Sequence, residues 1–296
     1  MPPLFRVFVV LPLLFVAGTA FAQTSALELR PAILRSEDAF TLAVRFSGAV
    51  RDEYYSQPAA GTYPKGWYYS AAAEGAVALK PRHNPENLTA KLNAGWSISL
   101  KRTPEPPEFS PDDPEPQLPR PTKDWGFIEI GADVKAEADQ VFDAVNLAGG
   151  GELSYINIKD EGWWFLVPSV VVGLNAVKPL KSDLRDSIDE DLSPFARIDG
   201  AASWKFLIGQ RLNSPILRPL GLHVDFRFFN SFGLPEIVEE SDDPLATYVA
   251  LDVSYSLTDR LPYVREIFVR FSNGRLPPEI QSTSAIYAGI VLGETP

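Results

Sequence analysis

The chain has 296 residues, 38 Asp and Glu against 27 Lys and Arg, a formal net charge of −11 and no cysteine. The acidic balance argues against nucleic acid as a partner, since phosphate binding needs a basic face, and against polybasic attraction to anionic lipid. Without cysteine there is no disulfide scaffold, no thiol nucleophile, no cysteine-held metal and no bacterial lipoprotein attachment.

At the N-terminus a single cation, Arg6, precedes an apolar run from Val7 to Ala17, interrupted by Pro12. Ala20, Phe21 and Ala22 then form an A-x-A cleavage site ahead of Gln23, which predicts an export signal at residues 1–22. The run is too short to cross a bilayer as a helix, which needs roughly twenty apolar residues. The domain predicted for 23–296 carries a formal charge of about −12, because Arg6 leaves with the signal. No later stretch has the length of a membrane helix. A membrane-embedded form would therefore be a β-barrel, the other structure that satisfies its own backbone hydrogen bonds in lipid.

Leu27–Leu34 and Phe40–Phe46 read as strands around a tight turn at Arg35–Asp38, followed by a long connection, Gly48–Gly66, and a third strand, Trp67–Lys80. Leu88–Leu100 alternates without a break. Leu88, Ala90, Leu92, Ala94, Trp96, Ile98 and Leu100 share one face, opposite Thr89, Lys91, Asn93, Gly95, Ser97 and Ser99. That period of two places an apolar stripe against a polar one in a strand and would scatter both around a helix. Residues 101–124 are proline-rich and acidic and form an extended loop.

Ile128–Asp139 repeats the alternation, with Ile128, Ile130, Ala132, Val134, Ala136 and Ala138 opposite Glu129, Asp133, Lys135, Glu137 and Asp139. Asn146–Ile158 contains Gly149-Gly150-Gly151, which blurs the pattern. A tight turn is expected at Lys159–Gly162, then a strand at Trp164–Val177 and a long connection at Lys178–Pro194. Ala196–Phe206, Leu220–Phe228 and Val249–Leu257 alternate clearly, with Asn230–Thr247 as a further long connection. Val264–Ser272 and Ser284–Leu292 flank the turn signal Asn273-Gly274-Arg275-Leu276-Pro277-Pro278. The fold class is all-β, with about twelve antiparallel strands in a range of about ten to fourteen, and no internal repeat or second domain.

Three features favour a barrel over a soluble sandwich. The polar stripes carry charge along their whole length, which a wet lumen tolerates. The predicted strands exceed the usual five or six residues and match the about 9–11 that a tilted membrane strand needs. Aromatics also gather beside the loops, as Trp67 with Tyr69, Trp125 with Phe127, and Trp163 with Trp164, a pattern suited to the headgroup level.

In these features the chain resembles the bacterial outer-membrane β-barrel (porin-like) class, by pattern over nearly all of 23–296 and without a subfamily motif. The resemblance implies insertion in the cell outer membrane, contact with its lipid and lipopolysaccharide, short periplasmic turns, longer outer loops and a polar interior passing small solutes or ions. The chain departs from the class in two ways. It ends Gly293-Glu294-Thr295-Pro296 with no closing aromatic, and its long connections fall on both sides. The second departure means either a miscounted strand between Gln140 and Trp163, the reading preferred because the glycine run blurs the pattern there, or long loops on the periplasmic side as well.

The expected lumen-lining residues are Arg45, Glu74, Lys91, Glu129, Asp133, Lys135, Glu137, Arg197, Asp199, Lys205, His223, Asp225, Arg227 and Asp252. Glu28, Arg30, Lys80, Asp139, Glu152 and Arg270 fall on the same series, so the lining is nearly charge-balanced. That predicts either a narrow, weakly selective passive pore or a structural barrel filled by ion pairs. No cofactor or metal is expected. The acidic runs Asp189–Asp191 and Glu239–Asp243 lack the spacing of a calcium loop.

Two alternatives come from other classes. One is a soluble periplasmic or secreted β-sandwich that binds a carbohydrate or a partner protein through exposed Trp and the loop tyrosines Tyr54, Tyr55 and Tyr63. The other is an outer-membrane barrel hydrolase. The latter lacks a G-x-S-x-G elbow and has only His83, in a turn, and His223, expected to pair with Asp225 inside the lumen.

Overall fold

A computed structural model describes residues 25–36, 39–56, 62–79, 87–101, 125–158, 166–182, 186, 192–208, 216–217, 219–234, 243–257, 264–278 and 283–292. The export signal, Lys80, His83, nearly all of the proline-rich loop, Trp163, Trp164, most of both acidic runs and the last four residues lie outside the described residues.

Twelve strands follow in chain order: β1 (Ser25–Ser36), β2 (Ala39–Tyr55), β3 (Lys65–Ala78), β4 (Leu88–Ser99), β5 (Phe127–Ala138) and β6 (Ala144–Ile156). The rest are β7 (Ser169–Ser182), β8 (Phe195–Leu207), β9 (Leu220–Phe232), β10 (Leu245–Ser256), β11 (Val264–Gly274) and β12 (Thr283–Leu292). Each pairs antiparallel with its sequence neighbours, and β1 also pairs with β12, which closes the barrel. A single sheet that returns on itself leaves no edge and no second sheet, so the sandwich alternative is overturned.

The period of two decides which residues face in. On β4 and β5 the cross-strand pairs Asn93↔Asp133 and Lys91↔Lys135 lie on the inner series, while Leu92↔Val134 and Trp96↔Ile130 lie on the outer. The outer series is apolar yet exposed, with Leu42, Leu92, Ile130, Leu174, Val249 and Phe271 among its members. The inner series holds the buried polar side chains. Apolar residues also line the inside at the seam where β12 meets β1, with Leu34, Phe268, Tyr287 and Val291 buried together.

Where strand limits differ from the sequence reading, backbone pairing supplies the reason. β2 runs on to Tyr55 because it stays in register with β3 as far as Tyr55↔Gly66. β7 continues through Pro179 because a shift of register between Val145 and Asn146 on β6 falls opposite it, and a bulge tolerates a residue that cannot donate to the ladder. The β6–β7 connection spans 157–168, not the tight turn expected at Lys159–Gly162. Pro168 closes the approach to β7, and Asn157 holds this connection by donating to the Val167 carbonyl (2.6 Å).

Gly149-Gly150-Gly151 lies within β6 and does not interrupt it. The strand number is therefore twelve, and the miscount offered for the two-sided loops is incorrect. The 100–126 connection leaves one end of the barrel, whereas 183–194 and 233–244 leave the other. Asp139 is also misplaced by the sequence reading. It caps the β5–β6 turn, accepting from the Asp143 and Ala144 amides at 2.8 and 3.2 Å.

Aromatic rings of the outer series gather where even strands hand over to odd ones. Trp67 and Trp96 are cross-strand partners there, with ring centroids 3.5 Å apart. Tyr54 and Tyr69 both donate to Asp52 at 2.9 Å, and Trp204 donates to the Leu166 carbonyl at 3.0 Å. Phe127 departs from the expected ring set, because it shares the inner series with Glu129.

Two inner glycines are required by close approach. Tyr68 is directly opposite Gly95, which is opposite Gly131. A methyl on Gly95 would collide with the Ile130 carbonyl oxygen, and one on Gly131 would sit 2.5 Å from the Tyr68 hydroxyl and 2.6 Å from Asn93 Oδ1. Gly131→Ala is expected to destabilise the barrel by about 1–3 kcal/mol through overpacking. Urea unfolding followed by tryptophan fluorescence measures it, and an unchanged midpoint would show that Tyr68 can move aside freely.

Candidate functional site

The inner series builds one polar system down the lumen. On the wall from β4 to β8 an unbroken chain of ion pairs runs Glu152, Lys91, Asp133, Lys135, Asp199, Arg197, Glu137. Arg197 is its most enclosed member at 1% exposure. Its guanidinium donates to both Glu137 oxygens at 2.9 and 2.6 Å and to Asp199 Oδ1 at 2.6 Å, with its central carbon over the Phe229 ring, 5.3 Å from the centroid. Asp199 also accepts from Lys135 at 2.5 Å and from Asn175 at 2.8 Å. Charges taken from water are tolerable when paired and hydrogen-bonded in this way; Asp133 is compensated by charge alone, 3.4 Å from Lys135 and 4.0 Å from Lys91.

Glu129 forms a second group, joined by both terminal nitrogens of Arg51 and by the Ser154 hydroxyl. Arg51 in turn lies over the Tyr68 ring at 4.5 Å. A third group crosses β8 to β11. Ser203 Oγ lies 2.9 Å from His223 Nε2, His223 Nδ1 lies 3.7 Å from Asp252, and Arg270 donates to Asp252 at 2.5 Å and to the Tyr248 hydroxyl at 2.9 Å. His223 is thus held by Ser203 and Asp252, not by the expected Asp225. Asp252 is its direct cross-strand partner, whereas Asp225 is taken by Arg227 on its own strand at 3.0 Å.

Between these groups lies a cavity of about 390 Å³. Of the residues expected from sequence, Arg45, Glu74, Lys91, Lys135, Glu137, Asp199, His223, Asp225, Arg227 and Asp252 line it. Glu129, Asp133 and Arg197 are buried in the wall pairs, and Lys205 is exposed on β8 opposite His223. Arg30, Glu152 and Arg270, also on the expected inner series, line it too, together with Phe46, Phe229 and Tyr248 among others. The sequence reading missed Arg51, which it placed in a loop. The signal was present: Arg45, Ser47, Ala49, Arg51 and Glu53 continue one period-two series.

Ser203, His223 and Asp252 have the composition of a hydrolytic triad, but their setting does not suit acyl transfer. The histidine–aspartate separation exceeds hydrogen-bond length. Asp252 is already engaged by Arg270. Asp225 stands directly opposite Ser203, so the hydroxyl has a carboxylate as its cross-strand neighbour, the wrong charge for stabilising an oxyanion. Among the described residues no group of three or more His, Asp and Glu is placed to hold a metal ion.

No protein-family description and no curated protein matches the chain. Among solved structures, a rhombohedral crystal form of the NanC porin is 10% identical, with a TM-score of 0.42 over 90% of this chain and all of that one. A structure from work on in-meso crystallisation of membrane proteins is also 10% identical, with a TM-score of 0.35 over 89% of this chain and 83% of that one. The strand pairing itself gives the architecture: the chain is a closed antiparallel β-barrel of twelve strands.

Proposed function

We propose that this protein is an outer-membrane barrel whose charge-balanced lumen passes small solutes or ions passively. The observation that carries the reading is the reversal of polarity between its faces. Leu92 and Leu174 are more than 60% exposed on the outside, while Arg197 and Glu137 are almost wholly enclosed within. In water such a surface would be an aggregation liability, since soluble monomers rarely expose large contiguous apolar areas. In a bilayer it is the expected solvent-facing surface.

The aromatic cluster of Trp67, Trp96, Tyr54 and Tyr69 at one end suits the headgroup level, where rings with polar edges are favoured. Balanced lining charge supports weak selectivity rather than a strong preference for either sign of ion.

The test is fractionation of the host, with immunoblots of boiled and unboiled samples, then reconstitution in planar bilayers. Outer-membrane recovery, a heat-dependent change in migration and ohmic conductance are expected. A soluble product without a migration shift would overturn the membrane reading. An inserted, heat-modifiable barrel that stays silent would favour a structural role in which the ion pairs fill the lumen.

A further inference from the structure

We infer that Glu74 and Arg227 form a movable bar across the lumen and set its aperture. This rests on the conducting reading above and names the residues that limit passage. In the closed strand order β3 and β9 lie six positions apart out of twelve, on diametrically opposite walls. Arg227 reaches across to Glu74 with both terminal nitrogens, at 2.7 and 3.4 Å. The wall pairs described above join strands no more than three positions apart. Both bar residues line the central cavity, so the pair stands where a permeating solute would have to pass.

Each partner also has a place to go on its own wall. Arg227 Nε already donates to Asp225 on the same strand at 3.0 Å, which keeps the guanidinium compensated if Glu74 leaves. Glu74 stands opposite Ser47 on one side and Thr89 on the other. Arg45 and Lys91 are each one diagonal step away on the same inner face, a separation that long side chains span. Withdrawing the bar therefore exchanges one ion pair for others and strands no charge. Two arrangements of similar energy are what an aperture needs if it is to open without unfolding. At high ionic strength screening weakens the crossing pair, which is only part-buried, and favours withdrawal to the walls.

The experiment uses the whole refolded barrel in planar bilayers. Single-channel conductance is divided by bulk conductivity over a salt series for the wild type and Glu74→Gln. The wild-type ratio is expected to rise with salt, while Glu74→Gln starts severalfold higher and stays flat.

The chain has no cysteine, so a second variant, Glu74→Cys with Arg227→Cys, offers a clean independent readout. Its raised conductance is expected to fall when a reducible bifunctional thiol reagent bridges the pair and to return on reduction. Lys181→Gln, which breaks the exposed pair with Asp143 at the rim, should change nothing.

A heat-modifiable, conducting wild type whose ratio is matched by both variants would overturn the bar and leave the channel reading standing. Silence of all three inserted proteins would overturn both. A silent wild type with conducting variants would support a bar that closes completely.

Discussion

Replacing Arg197 by alanine is expected to destabilise the barrel by about 3–5 kcal/mol, the range for removing one partner of a buried pair. The magnitude follows from what is left behind. Glu137 loses both of its guanidinium hydrogen bonds, and Asp199 loses one of the two cations that compensate it, keeping Lys135 and Asn175. Cutting the ion-pair chain between Asp199 and Glu137 strands the glutamate in a wall where it is 4% exposed. Urea unfolding in lipid vesicles, read by tryptophan fluorescence and by loss of heat-modifiable migration, measures the loss. The companion Arg197→Ala/Glu137→Ala should recover much of it, because no unpaired carboxylate then remains. If the double variant proves as unstable as the sum of the singles, the two groups do not act as a pair.

Leu174→Arg carries the second large effect, about 2–4 kcal/mol if the outer face meets lipid near the bilayer midplane. Leu174 sits near the middle of β7 and is 62% exposed. Leu180, on the same face of the same strand but close to its end, is 55% exposed. The same substitution there should cost only about 0–1 kcal/mol, as expected near the interface, where arginine can reach the headgroups. The comparison discriminates because both positions are almost equally accessible. In a water-soluble barrel both arginines would be harmless. Equal tolerance in refolded protein would thus count against the membrane reading, whereas a steep gradient along β7 would support it.

Much of this architecture was legible because the alternation is a property of the chain itself. Glu129, Asp133, Lys135 and Glu137 announce one wall of β5 from their spacing, and the structure keeps all four on the inner series. Strand limits were legible only where the alternation was strong. β2 beyond Phe46 keeps a period of two as far as Glu53 but carries no run of large apolar residues opposite it, whereas β7 beyond Val177 persists because its neighbour holds it, and a long-range ladder leaves no local mark. Side-chain partnerships were less accessible still. His223 and Asp225 are two apart on one strand, which suggested a pair. The choice of Asp252 depends instead on the register between β9 and β10. The meeting of Glu74 with Arg227, 153 residues apart in sequence, depends on how the whole sheet curls, which no window of residues records.

Pairing of β1 with β12 also has a temporal consequence. Ala32↔Gly289 and Leu34↔Tyr287 join the first strand of the barrel to the last, so the ring cannot shut before β12 has been made. Every shorter intermediate carries two unpaired strand edges, the kind of template on which other chains pair. Contacts of such sequence separation also form slowly. Handling between synthesis and closure, by whatever escorts the unfinished sheet, is therefore as much a requirement of this molecule as any bond in its finished wall.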